Sequence, residues 1–145
     1  MKISELKDNC EKSVGDFKAY AKLSADKVDK LEDEIGHQLP DDYREFLMTY
    51  GCVESGGEGI LGYGGPKHLD FIVARNDLLK HPNINFPSNL CPIHNDGFGN
   101  YECLQLFSGK ANVVWWVHDG NGYIHETVAP SFSVWLDEVC DAASQ

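Results

Sequence analysis

No stretch of this sequence approaches the roughly 18 consecutive apolar residues that a membrane-spanning helix needs. Hydrophobic residues nevertheless make up 42% of it, too many for a disordered chain. It contains no CxxC pair. Its five cysteines (Cys10, Cys52, Cys91, Cys103, Cys140) are odd in number and widely spaced, unlike a secreted disulfide framework. They are expected to stay reduced and to fill apolar positions. Basic residues are scarce. Twelve lysines and arginines stand against 23 acidic residues, for a formal charge of −11 and a sequence pI near 4.8. A field of that sign repels phosphate backbones and anionic lipid, so neither nucleic acid nor membrane is an expected partner. It attracts a basic protein. The first residues, Met1 to Asp8, are charged and amphipathic without the apolar core of a signal peptide, so a cytoplasmic location is expected. No repeat, low-complexity tract or linker divides the 145 residues, a length typical of one domain.

The apolar pattern is helical at first. Ile3, Leu6, Cys10 and Phe17 mark one face of a weakly patterned helix that Gly15 interrupts. Ser24 caps a helix near 25–35, with Val28, Leu31 and Ile35 on one face and Gly36 as its stop. Pro40 suits the first position of a helix near 41–50, because its missing N–H needs no partner there. Asp41 and Asp42 then meet the positive end of that helix dipole, and Tyr43, Phe46, Leu47 and Tyr50 form its apolar stripe. Half of the fourteen glycines fall between Gly51 and Gly65, where only a short strand at Gly59–Tyr63 is expected. Asn76–Lys80 reads as one or two helical turns halted by Pro82. Leu90–Ile93, Tyr101–Phe107, Val113–His118 and Tyr123–Val128 read as strands. Asn121-Gly122 signals a tight hairpin turn, since both residues tolerate positive φ. Ser131 caps a closing helix near 131–140 with Phe132, Trp135, Leu136, Val139 and Cys140 on one face. The class is α+β: a mostly antiparallel sheet packed against N-terminal helices and a C-terminal helix, in one domain over 1–145. Leu31/Ile35, Phe46/Leu47 and Trp135/Leu136 are expected to pack on one side of that sheet.

The chemistry-bearing residues assemble no familiar site. The run Gly56 to Lys67 is glycine-rich, but a phosphate loop needs Ser or Thr after its lysine, and here Lys67 precedes His68. Cys91 and His94 have CxxH spacing, with Cys103, His118 and His125 further on, yet a structural zinc site usually shows two tight ligand pairs. His118-Asp119 resembles the metal-binding dipeptide of phosphohydrolases, but it ends a strand where those use helices. His94-Asn95-Asp96-Gly97 lacks the alternating carboxylates and closing Glu of a calcium loop. No catalytic residue, cofactor or metal is expected. Trp115-Trp116 is a different kind of signal. Adjacent strand residues point to opposite faces, so one indole enters the core. The other is covered by a helix or loop, or stands exposed like the aromatics of binding hot spots.

The segment Leu31-Glu32-Asp33-Glu34-Ile35-Gly36-His37-Gln38-Leu39-Pro40-Asp41-Asp42-Tyr43-Arg44-Glu45-Phe46-Leu47 resembles the N-terminal signature of the SUKH superfamily. The Asp96-Gly97 turn leading into Tyr101-Glu102-Cys103-Leu104, the Trp-rich strand and Ser131-Phe132-x-x-Trp135-Leu136 continue the likeness, which is clearest over 25–139. One departure is Tyr50-Gly51-Cys52, where the family usually has an Asn-Gly turn. The resemblance implies an α+β protein-binding module without enzymatic activity. Its members include bacterial immunity proteins that neutralise toxins, often nucleases, and eukaryotic regulators of cell-wall synthesis. An immunity protein with a basic toxin domain as partner is the expectation. The alternative is a regulatory scaffold or adaptor binding a cellular protein. Asp96 and Asp119, in turns beside strand ends, and the outward member of Trp115 and Trp116 are the candidate partner-binding residues.

Overall fold

Ser24 and Gly36 bound the helix between them by their own chemistry. The Ser24 hydroxyl accepts the Lys27 N–H at 3.1 Å, and Gly36 takes φ 76°, a left-handed conformation that ends the spiral. The same grammar punctuates the rest of the chain. The computed structural model describes residues 2–143, the side chains of the last three apart. After a 3₁₀ turn (Ile3–Glu5) come α1 (Leu6–Val14), β1 (Lys18–Ala19), α2 (Ala25–Ile35), α3 (Asp41–Thr49), β2 (Val53–Ser55) and β3 (Glu58–Ile60). Then follow α4 (Phe71–Lys80), β4 (Leu90–Asn95), β5 (Tyr101–Phe107), β6 (Lys110–Val117), β7 (Tyr123–Ala129) and α5 (Phe132–Ala143). The strands form two antiparallel sheets, ordered β1-β2-β3 and β4-β5-β6-β7. The fold is α+β.

One large apolar cluster joins helices to sheet. Leu31 and Ile35 of α2, Phe46 and Leu47 of α3 and Trp135 and Leu136 of α5 share it with Leu104, Leu106 and Val113 of the larger sheet. Tyr43 stacks on Phe46 and meets Phe132 edge-on at 5.0 Å, while its buried hydroxyl donates to the Leu61 carbonyl at 2.7 Å. The opposite face of the larger sheet carries a second cluster of Leu90, Cys103, Val114 and Trp116, joined by Phe86. Arg75 of α4 is buried as well. Its guanidinium donates to the carbonyls of Leu90, Ser88 and Ile35, so the desolvated cation keeps its hydrogen bonds.

Several elements differ from the sequence expectation. Pro40 is the residue before α3, not its first turn. The helical turns expected at Asn76–Lys80 belong to a helix twice that long, because the Asp70 carboxylate caps it by accepting the Ile72 and Val73 N–H groups. The strand expected at Gly59–Tyr63 is Glu58–Ile60 and pairs with β2, inside a small sheet whose strands of two or three residues carry no readable periodicity. Asn121 and Gly122 do take positive φ, 79° and 102°, but they close a wider loop containing a 3₁₀ turn at Asp119–Asn121. The two-residue hairpin is Ser108-Gly109, between the paired Phe107 and Lys110. The glycine-rich run serves close packing: Tyr63 N–H donates to Gly51 O at 2.9 Å, and a Cβ on Gly62 would collide with that carbonyl.

Candidate functional site

The β4–β5 and β6–β7 turns lie at one end of the larger sheet, and polar side chains tie them together. Asp96 organises the first turn. Its Oδ1 accepts the N–H groups of Phe98 (2.8 Å) and Asn100 (3.1 Å), and its Oδ2 accepts the Asn100 side-chain amide at 2.9 Å. Burial pulls this carboxyl's pKa up, but the bonds from Phe98 and Asn100 outweigh it and leave the pKa below the usual range. Asn100 reaches across to the second turn, where its Oδ1 accepts the His118 N–H at 3.0 Å and lies 2.8 Å from His118 Nδ1. Asp119 follows on the exposed surface. Between Gly97 (φ 86°) and Gly99 (φ 89°), Phe98 projects with 80% of its surface exposed.

The paired tryptophans divide as a strand requires. Trp116 is fully buried, edge-on to Phe86 at 5.1 Å, with its Nε1 donating to Asn85 O at 3.0 Å. It lies inside the protein and offers no contact surface. Trp115 is half-buried on the face that carries α5, and meets the exposed His125 edge-on at 5.2 Å. Register places it in a row across the larger sheet, His94–Glu102–Trp115–Glu126. Of the four residues nominated from sequence, Asp96, Asp119 and Trp115 present surface near the turn end of the sheet; Trp116, one residue closer to the turn, is buried.

The same row contains a polar cluster. His94 Nε2 lies 2.8 Å from Glu58 of β3, and its Nδ1 lies 3.2 Å from Glu102. Glu102 also accepts the Trp135 indole N–H at 2.8 Å, so one imidazole links both sheets and α5. Glu102, within ion-pair range of Nδ1 but outside hydrogen-bond geometry, raises the His94 pKa most, burial opposes it, and Glu58 adds to the rise. Burial raises the Glu102 pKa, but the nearby His94 and the bond from Trp135 prevail and lower it.

The zinc donors that spacing suggests do not converge. Cys91 and Cys103 belong to the two clusters on opposite faces of the sheet, and burial drives both thiols upward in pKa. A third feature has no signal in the sequence. An apolar cleft of about 260 Å³ opens between α1, β2–β3 and α5, lined by Leu6, Cys10, Val14, Ile60, Leu136 and Cys140 among others. A hydrogen bond from Cys140 lowers the Cys10 thiol to about 7 against the opposing effect of burial.

Among known protein families, the chain matches the SUKH family model described as SMI1-KNR4 cell-wall over residues 2–141. No curated protein matches it. The match takes in α1 through nearly all of α5, including the Leu31–Leu47 signature and the β4–β5 and β6–β7 turns. The chain belongs to the SUKH family.

Proposed function

We propose that the protein is a non-catalytic immunity module that binds a cognate toxin domain, of the nuclease kind, and neutralises it by covering its active site. SUKH domains are generally non-catalytic immunity or regulatory proteins, and this chain matches their model almost end to end. The observation that carries the reading is how charge divides along the chain. Lys110 is the sole lysine or arginine after Lys80, against seven acidic residues in that stretch. That stretch builds the four-stranded sheet and α5. Nucleases hold phosphates in basic clefts, and an acidic surface poor in cations complements such a cleft.

Inhibition tests the proposal. The purified protein is titrated into the assay of a toxin domain encoded next to its gene. Loss of toxin activity at equimolar protein is expected; full activity at excess protein rejects the immunity reading. The cell-wall description of the family favours a second reading, a regulatory scaffold that binds a cellular protein. Under that reading no toxin gene adjoins this one.

A further inference from the structure

We infer that Phe98 is the anchor of the partner-binding surface, seated in an apolar recess ringed by lysine or arginine on a basic protein. The inference rests on the protein-binding reading above and names the surface that reading leaves open.

Three observations converge on Phe98. It is the most exposed of the large apolar side chains among the described residues, and two others, Tyr123 (46%) and Ile124, lie at the same end of the sheet. Its ring leaves apolar area in water that a partner removes on contact. The turn that displays it is also held in place. Asp96 fastens the Phe98 N–H directly, Asp96 N–H donates to Asn100 O at 3.1 Å, and Asn100 grips His118. A loop already ordered loses little entropy on binding, the condition under which an aromatic becomes a hot spot.

The third observation is charge. Asp96, Asp119 and Glu126 lie on and beside the two turns. Between His81 and the chain end the one lysine or arginine is Lys110, which opens β6 at the far end of the sheet. Lys67, from the turn before α4, lines a pocket with Asn95 and Tyr101 and brings one cation to the Phe98 end, where the carboxylates still outnumber it. Phe107, another exposed aromatic, sits at that far end and pairs with Lys110, so it lacks the acidic setting of Phe98. An aromatic among carboxylates fits a basic protein and repels anionic lipid and nucleic acid.

The experiment compares binding kinetics of wild type, Phe98→Ala and Phe98→Leu against the toxin domain encoded beside the gene. Phe98→Ala is expected to dissociate about 30-fold faster, the scale of a hot-spot residue, with association changed less than about threefold. Phe98→Leu should fall between the two. Because the side chain is exposed, the melting temperature should not move. Wild-type binding with no change in dissociation for Phe98→Ala would overturn the inference and leave the immunity reading standing. No binding by wild type would reject that reading, and the inference with it.

Discussion

The two ends of the four-stranded sheet finish the same strands differently. At the end where β4 begins and β7 finishes, Leu90, Leu106, Val113 and Ala129 are buried in the two apolar clusters. At the other end, Asp96, Asn100 and His118 satisfy one another and the backbone, and the apolar Phe98 is left in solvent. Apolar burial reaches both ends, with Trp116 and Val117 buried at the second, but the turns beyond those two residues are held by a polar network. The largest departure from the usual inside-out distribution falls where a partner is proposed to bind.

This contrast sets the size of the expected effects. Trp116→Ala removes a buried indole and its bond to Asn85, and should cost about 3–5 kcal/mol, read as a lower midpoint in urea unfolding. Asp96→Ala should cost less, about 1–2 kcal/mol, because it frees donors in a turn that water reaches. In hydrogen exchange its effect should centre on Phe98 and Asn100, with the strands unchanged. A loss of protection spread through β5 and β6 would mean that the turn is not a separate unit.

The smallest effect expected is the pH dependence from His94. Its folded pKa is raised above the ordinary 6.5, so its contribution is complete below that value and is lost as pH rises through the folded pKa. The Glu102 pKa is lowered from 4.5, so its contribution is present above that value and is lost as pH falls through the folded pKa. The cluster therefore contributes most between about 4.5 and 6.5. His94→Gln should flatten the fall in melting temperature between about pH 6 and 8; an unchanged profile would remove His94 as its source.

Some elements are plain in the sequence and others are hidden, for physical reasons. The helix at Ala25–Ile35 and the strand at Tyr101–Phe107 match their expected bounds, because cap, stop and periodicity agree there. The first half of α4 is not legible although its cap, Asp70, stands in the sequence, since Phe71–Arg75 follows a run of glycines and has weak polar contrast. Long-range polar contacts leave no local trace. Asp42, a dipole partner of its own helix, also accepts the Ser133 N–H and hydroxyl, both at 3.0 Å, 91 residues away. The Glu58–His94 contact is equally invisible to spacing. Asp96 and Asp119 are legible as turn residues, whereas Phe98 is not: a lone phenylalanine between glycines reads the same whether it is buried or displayed.

The most direct test of steering by the acidic surface is the association rate with the adjacent-gene toxin domain across a salt series. The Debye length shortens from about 30 Å at 0.01 M to about 3 Å at 1 M, so steering should fade over that range. The association rate is predicted to fall steeply with salt, and to be slower at low salt for Asp119→Asn. An association rate indifferent to salt would contradict the role assigned to that surface.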